Sequence, residues 1–224
     1  MNILALETAT DACSVALAAG EDLHTRYSAE PRIHARRVLG MVDECLADAD
    51  RRPADLDLLV FGRGPGSFTG VRIATGVIQG FALGFERPVI PVSTLAGFAV
   101  AAWRLHGRHR VAVCVDARME ECYWGAFTVS EEGVATPVCE ERIASPDALP
   151  ELEQDGWMGV GSGWSRFPEL EARMGGQVEI LAPDLLPEAR DLVATAAVAH
   201  QRGEAVAAES ALPVYLREQV AWRS

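Results

Sequence analysis

The chain opens on short apolar runs at residues 3–6 and 13–18, parted by the turn-rich ETATDA, and a third run at 23–28 follows Gly20. This pattern predicts three consecutive strands joined as a meander. Between residues 34 and 49 the apolar positions Val38, Met41, Val42, Cys45, Leu46 and Ala49 recur at helical spacing, with Arg36, Arg37, Asp43, Glu44 and Asp48 on the other side. An amphipathic helix is expected there. A strand at 56–61, the turn GRGPGS, a helix at 69–85, a strand at 89–92 and a helix at 94–105 complete the order βββαβαβα. The polar, glycine-bearing LHGRHR at 105–110 is the expected seam between two lobes, residues 1–105 and 106–224. Beyond it the pattern predicts strands at 110–115, 121–129 and 157–160, a short helix at 146–152, and helices at 165–174 and 187–202. Strands again precede helices, so the second half reads as a candidate copy of the first.

Composition narrows the chemistry. The 224 residues carry 20 basic and 32 acidic side chains, a formal charge of −12, and every basic residue is arginine. Without lysine there is no Walker A phosphate loop, no Schiff-base enzyme and no kinase-type ATP clamp, since each needs an ammonium at a fixed place. The acidic balance argues against this chain gripping nucleic acid alone, because phosphate affinity comes from cations that displace counterions. The five cysteines, Cys13, Cys45, Cys114, Cys122 and Cys139, form no CxxC pair and are odd in number, as in a reducing cytoplasm. The start MNILALE has no basic residue before its apolar run, unlike a secretory signal. The longest uncharged runs, at 73–85 and 88–103, are respectively short and proline-bearing for a bilayer span. A soluble cytoplasmic protein is expected.

Four places could carry chemistry. GRGPGSFTGVRIATG, residues 62–76, crowds glycines around Pro65 before a helix that Ser67 or Thr69 can cap. The plain reading is a capped turn and the sharper one a phosphate site on its amides. It is neither a Rossmann fingerprint nor a nucleophile elbow, because Thr69 stands at the last glycine position and Pro65 precedes Ser67 by two. The helix that follows carries Gly76, Gly80 and Gly84 four residues apart. Each costs a helix interior roughly 1 kcal/mol against alanine. Such a stripe suits close backbone approach, either of the chain's own sheet or of a partner's helix.

The remaining two lie at strand ends. Asp116 falls where open α/β sheets place ligand groups and can pair locally with Arg118, while Glu7, Thr8 and Asp11 surround the first hairpin turn. The glycines of GVGSGW, Gly161 and Gly163 among them, either form a turn or bring backbone to a ligand between the lobes. His106 and His109 sit among arginines around Gly107, as in a surface loop, and no HExxH is present. His34 reads as a helix-start or surface residue. No serine or cysteine stands in a triad-like pattern.

Taken together, LALETATDACSVAL, GRGPGSFTGVRIATGVIQGFALGFERPVIPVSTLAG, VDARMEECYWGAF and PVYLREQVAW resemble the TsaB (YeaZ-type) family over the whole chain. The resemblance implies an α/β fold of the actin-like ATPase superfamily, in two lobes of RNase H-like βββαβα topology. It implies a non-catalytic partner of the TsaD-type subunit in the synthesis of threonylcarbamoyladenosine beside the tRNA anticodon. A TsaE-type ATPase and a synthase of threonylcarbamoyl-adenylate would belong to the same system, and a homodimer could form through the same face. TsaD-type subunits carry two metal-binding histidines in a segment resembling VNHLEGH; here the segment reads VSTLAGF, with Thr94 and Phe98 in their places. Neither replaces an imidazole on a transition metal. The resemblance places the partner interface on Val38, Val42, Cys45, Arg72, Gly76, Gly80 and Gly84. It reserves Glu7, Thr8, Asp11, Asp116, Arg118, Gly161 and Gly163 for an inter-lobe cleft that binds ATP or ADP weakly, if at all. No cofactor is expected, and tRNA would be met only through the complex. The rivals are a small actin-like ATP-dependent phosphotransferase and, from an older label of the superfamily, a peptidase. The first departs from its class at Glu7, where an aspartate is usual, and the second has no arranged nucleophile or metal ligands.

Overall fold

The computed structural model describes residues 1–30, 32–174 and 176–217. In the first half, β1 (Asn2–Glu7), β2 (Cys13–Ala19) and β3 (Asp22–Ser28) form the meander. They are followed by α1 (His34–Asp48), β4 (Leu58–Gly62), α2 (Phe68–Phe85), β5 (Val89–Val92) and α3 (Thr94–His106). In the second half, β6 (Arg110–Asp116), β7 (Cys122–Val129), β8 (Ala135–Pro137) and β9 (Arg142–Ala144) precede β10 (Trp157–Val160), α4 (Gly163–Arg166), α5 (Glu169–Arg173), β11 (Val178–Ala182) and α6 (Arg190–Gln201).

The sheets are ordered β3-β2-β1-β4-β5 and β11-β10-β6-β7-β8, with β9 also on β7. Counting strands within each half and leaving out β9, both follow the order 3-2-1-4-5, with antiparallel meanders and parallel pairing across the centre. That is the doubled RNase H-like arrangement expected of an actin-like protein.

Alternation along β1 explains the layering, since successive side chains point to opposite faces. Leu4 and Leu6 join the outer core with α1 and α2, whereas Ile3 and Ala5 face an inner core shared with the second sheet. The inner layer contains α3 and α6, and each lies across the seam. α3 packs on β6, β7, β8 and β10, and α6 on β1, β2, β4 and β5. A third core, built from Trp124, Trp157, Trp164, Phe167 and Leu170, covers the outer face of the second sheet under α4 and α5. The order of layers is therefore helices, sheet, helices, sheet, helices.

Four expectations are corrected in the second half. β8, β9 and β11 are short strands that the sequence pattern did not announce. The expected helix at 146–152 is a single 3-10 turn, Pro146–Ala148, because Pro150 cannot continue a helix. The expected helix at 165–174 is two short helices broken at Phe167, the residue before Pro168. The last helix begins at Arg190 rather than at 187. Residues 218–222 of the PVYLREQVAW motif lie outside the described residues.

Candidate functional site

The surface that stands out is α2. Its inner side, with Val71, Ala74, Ile78 and Ala82, is buried over β4, and Ser67 caps it by accepting from the Gly70 N–H at 3.2 Å. The outer side carries no charge except Arg72. Leu83 is 70% exposed, Phe68 56%, and Gly76, Gly80 and Gly84 are all exposed. A Cβ placed on any of these three glycines would meet no atom within 4 Å. The glycine stripe therefore does not pack on the chain's own sheet, and that reading of it is withdrawn. Among the described residues, α2 is the one helix long and apolar enough to cross a membrane. Its inner side, however, is locked into a protein core rather than free to meet lipid.

α1 lies beside α2 with the opposite polarity. Val38, Val42 and Cys45, expected at a partner interface, are buried in the outer core against β2. This is a correction: an apolar helical stripe satisfies its own sheet first, and it leaves Arg36, Leu39, Asp43 and Ala47 on the surface. Leu39 is 52% exposed. At the other end, Arg72 stacks 3.4 Å from the Phe68 ring centre and donates from Nε to the Tyr215 hydroxyl at 2.9 Å.

The residues expected around a nucleotide cleft are placed differently from one another. Glu7 is fully buried at the end of β1. Its carboxylate accepts from the Ala9 N–H at 2.7 Å and the Thr94 hydroxyl at 3.0 Å. Desolvation raises its pKa to about 7, against the lowering effect of those bonds. Thr8 is buried too, donating to the Gly70 carbonyl at 2.7 Å. Gly66 and Gly70 exist because this loop presses on them: a Cβ there would lie 2.3 Å from the Ala9 oxygen and 1.9 Å from the Thr8 oxygen. Three of the turn's amides are occupied as well. Arg63 N–H donates to Val92 O, Ser67 N–H to Ala9 O, and Gly70 N–H to Ser67 Oγ. A phosphate would find those donors taken, so the capped-turn reading holds.

In the second lobe, Asp116 accepts from the Arg118 N–H at 2.9 Å and pairs with its guanidinium at 3.4 Å, the local ion pair that the spacing allowed. Its own N–H donates to Ser162 Oγ at 3.1 Å. A Cβ on Gly161 would lie 2.5 Å from the Cys114 oxygen, and one on Gly163 2.3 Å from Cys114 Sγ. These glycines admit β6 rather than a ligand. Asp11 is exposed at the hairpin turn. His34 Nε2 lies 3.1 Å from the carbonyl oxygens of Thr10 and Ala12, a helix-start role.

Thr94 and Phe98, which hold the places of the metal-binding histidines, are both buried. The first is spent on Glu7 and the second belongs to the inner core. Hydroxyl and phenyl supply no imidazole, so this donor set does not fit a transition metal. Among the described residues no group of three or more His, Cys, Asp or Glu is arranged to hold a metal.

One feature was invisible in the sequence. Arg118, Met119 and Glu120 are consecutive left-handed residues, with φ of 64°, 57° and 59°. This conformation costs an L-residue roughly 1–2 kcal/mol. No glycine, asparagine or aspartate among them signals it.

Two sheets of like strand order, with Thr94 and Phe98 buried in packing roles, define a two-lobed α/β class of protein. The family model described as TsaD: tRNA N6-adenosine threonylcarbamoyltransferase matches residues 28–223. The tRNA threonylcarbamoyladenosine biosynthesis protein TsaB of Escherichia coli is 42% identical over 226 residues, covering 100% of this chain and 97% of that protein. Its counterpart in Haemophilus influenzae is 37% identical, covering 100% and 96%. YeaZ from Pseudomonas aeruginosa superposes with a TM-score of 0.86 at 45% identity, covering 96% of this chain and 99% of that one. The chain belongs to the TsaB family.

Proposed function

We propose that the chain is the non-catalytic partner of a TsaD-type threonylcarbamoyltransferase in forming threonylcarbamoyladenosine in tRNA, and that this subunit docks on the outer face of α2. The observation that carries the reading is the glycine stripe at Gly76, Gly80 and Gly84, open along an apolar helix. Burying such a face against another helix lets the two backbones approach closely, which none of the described residues exploits. Arg72, Leu83 and, from α1, Leu39 complete the footprint. The lobe of residues 1–105 carries the face and the second lobe begins at residue 106, with residues 206–215 returning onto the first. The filled metal place and the occupied amides of the glycine turn weigh against the phosphotransferase and peptidase readings.

The site of action is the cytoplasm. A TsaE-type ATPase binds near the same junction, threonylcarbamoyl-adenylate comes from a separate synthase, and tRNA is reached through the partner, in keeping with a charge of −12. No cofactor is needed, and any ATP or ADP binding is weak. When the TsaD-type subunit is absent, two copies pair through the same face. Gly80→Arg tests the interface, because the site has room for a side chain within the monomer but not beneath a close-packed helix. The variant is expected to fold with wild-type circular dichroism and to lose co-purification with the TsaD-type subunit. Normal co-purification would remove α2 from the interface.

A further inference from the structure

Two motifs lie outside the docking face just described, the DAR segment of the second lobe and the PVYLR that begins at Pro213. The structure joins them. Residues 211–217 start on the first lobe. Gln79 Nε2 donates to the Ala211 carbonyl at 3.1 Å, Val214 N–H to the Arg63 carbonyl at 2.8 Å, and Arg72 Nε to the Tyr215 hydroxyl at 2.9 Å. The Tyr215 ring lies 5.7 Å from that of Phe68. Two residues further on, Arg217 reaches the second lobe. Its Nη2 donates to the carbonyls of Ala117 at 3.1 Å and Arg118 at 3.3 Å and to the Glu121 carboxylate at 2.5 Å, and its Nη1 is 3.3 Å from Met119 Sδ.

These are the residues that enclose the left-handed run at 118–120. Within itself the turn has few bonds: Ala117 N–H to Glu121 O at 2.9 Å, Glu121 N–H to Arg118 O at 3.2 Å, and Arg118 N–H to Asp116 Oδ1 at 2.9 Å. The side chains of Arg118, Met119 and Glu120 are exposed, with Glu120 paired to Arg166. Disfavoured backbone persists only where its surroundings over-determine it. A single guanidinium nitrogen, Nη2, shared among two carbonyls and a carboxylate supplies that constraint.

We propose that residues 211–217 form a strap that couples the α2 face to the turn at 117–121. With Tyr215 seated on Phe68 and Arg72, Arg217 stays on the turn; with that seat lost, the turn relaxes. A partner covering Phe68, Arg72 and Tyr215 would hold the seat closed and so be felt in the second lobe. Only this last step rests on the docking reading above.

Hydrogen exchange followed by mass spectrometry on the full chain tests the strap without a partner. Arg217→Ala should speed exchange of the amides at 117 and 121 by about tenfold or more while β1 amides keep their protection. Arg217→Lys should fall between. Tyr215→Ala changes only first-lobe packing and should speed the same two amides about threefold or more. Unchanged exchange at 117 and 121 in Arg217→Ala overturns the clamp. A response to Arg217→Ala but none to Tyr215→Ala overturns the coupling. Binding of the TsaD-type subunit is scored separately by co-purification, so its failure counts against the docking face while the two exchange measurements still decide the strap.

Discussion

α2 in the first lobe and the pair α4–α5 in the second occupy the same place in the repeated topology, after the strand that pairs in parallel with the first strand of each half and over the outer face of the sheet. They solve it in opposite ways. α4 and α5 bury Trp164, Phe167 and Leu170 and turn Arg166, Glu169 and Glu171 outward, so their apolar material is consumed by their own sheet. α2 has enough apolar surface for two sides, keeps only one covered, and removes side chains from the other at three glycines. A covered surface and an open one can thus share one fold.

The same contrast holds where each first strand ends in an acid. Glu7 closes β1 in a dry setting, while Asp116 closes β6 only partly buried, with Arg118 beside it. Burial has turned one strand-end acid into a packing element and left the other a local ion pair.

Substitutions can break this contrast. The largest effect belongs to the covered side: Trp164→Ala removes a buried indole whose Nε1 donates to Ala112 O at 3.2 Å. It should cost about 3–5 kcal/mol in chemical denaturation. Next comes Glu7→Gln, which removes the charge at nearly unchanged volume. The folded pKa of Glu7 near 7 lies above the unfolded 4.5. Its ionisation therefore costs nothing below pH 4.5, costs progressively more between 4.5 and 7, and costs most above 7. The variant should be more stable than wild type by up to about 3 kcal/mol at pH 8, with no gain at pH 4.5. The smallest effect is Gly80→Ala, expected to stabilise the isolated chain by about 0.8 kcal/mol through helix propensity alone. A destabilised Gly80→Ala would mean that the stripe is already packed.

Much of the first lobe was legible because its elements are long and periodic. The apolar stripe of α1 was read correctly as a stripe, with Val38, Val42 and Cys45 on it, but assigned to the wrong neighbour. Periodicity reports that a face is buried without saying against what. The stripe on α2 was ambiguous for a different reason: glycines have no side chains, so only exposure in the folded chain separates open space from close packing. β8, β9 and β11 were missed because strands of three to five residues leave almost no pattern. Pro168 could have signalled the break between α4 and α5. The clamp by Arg217 had no local signal at all, since it joins residues 96 to 100 apart in sequence.

The crossing of α3 and α6 over the seam has a mechanical consequence. Arg104 on α3 bonds Asp191 and Glu188 beside α6, and Ala189 N–H donates to Ser14 on β2 at 3.0 Å. Each half therefore holds its neighbour's sheet, as two hands clasped by the wrists, and neither can swing without opening the oil-filled joint between them. A jaw-like hinge is traded for a stiff block, and the molecule can serve its companion as an anvil.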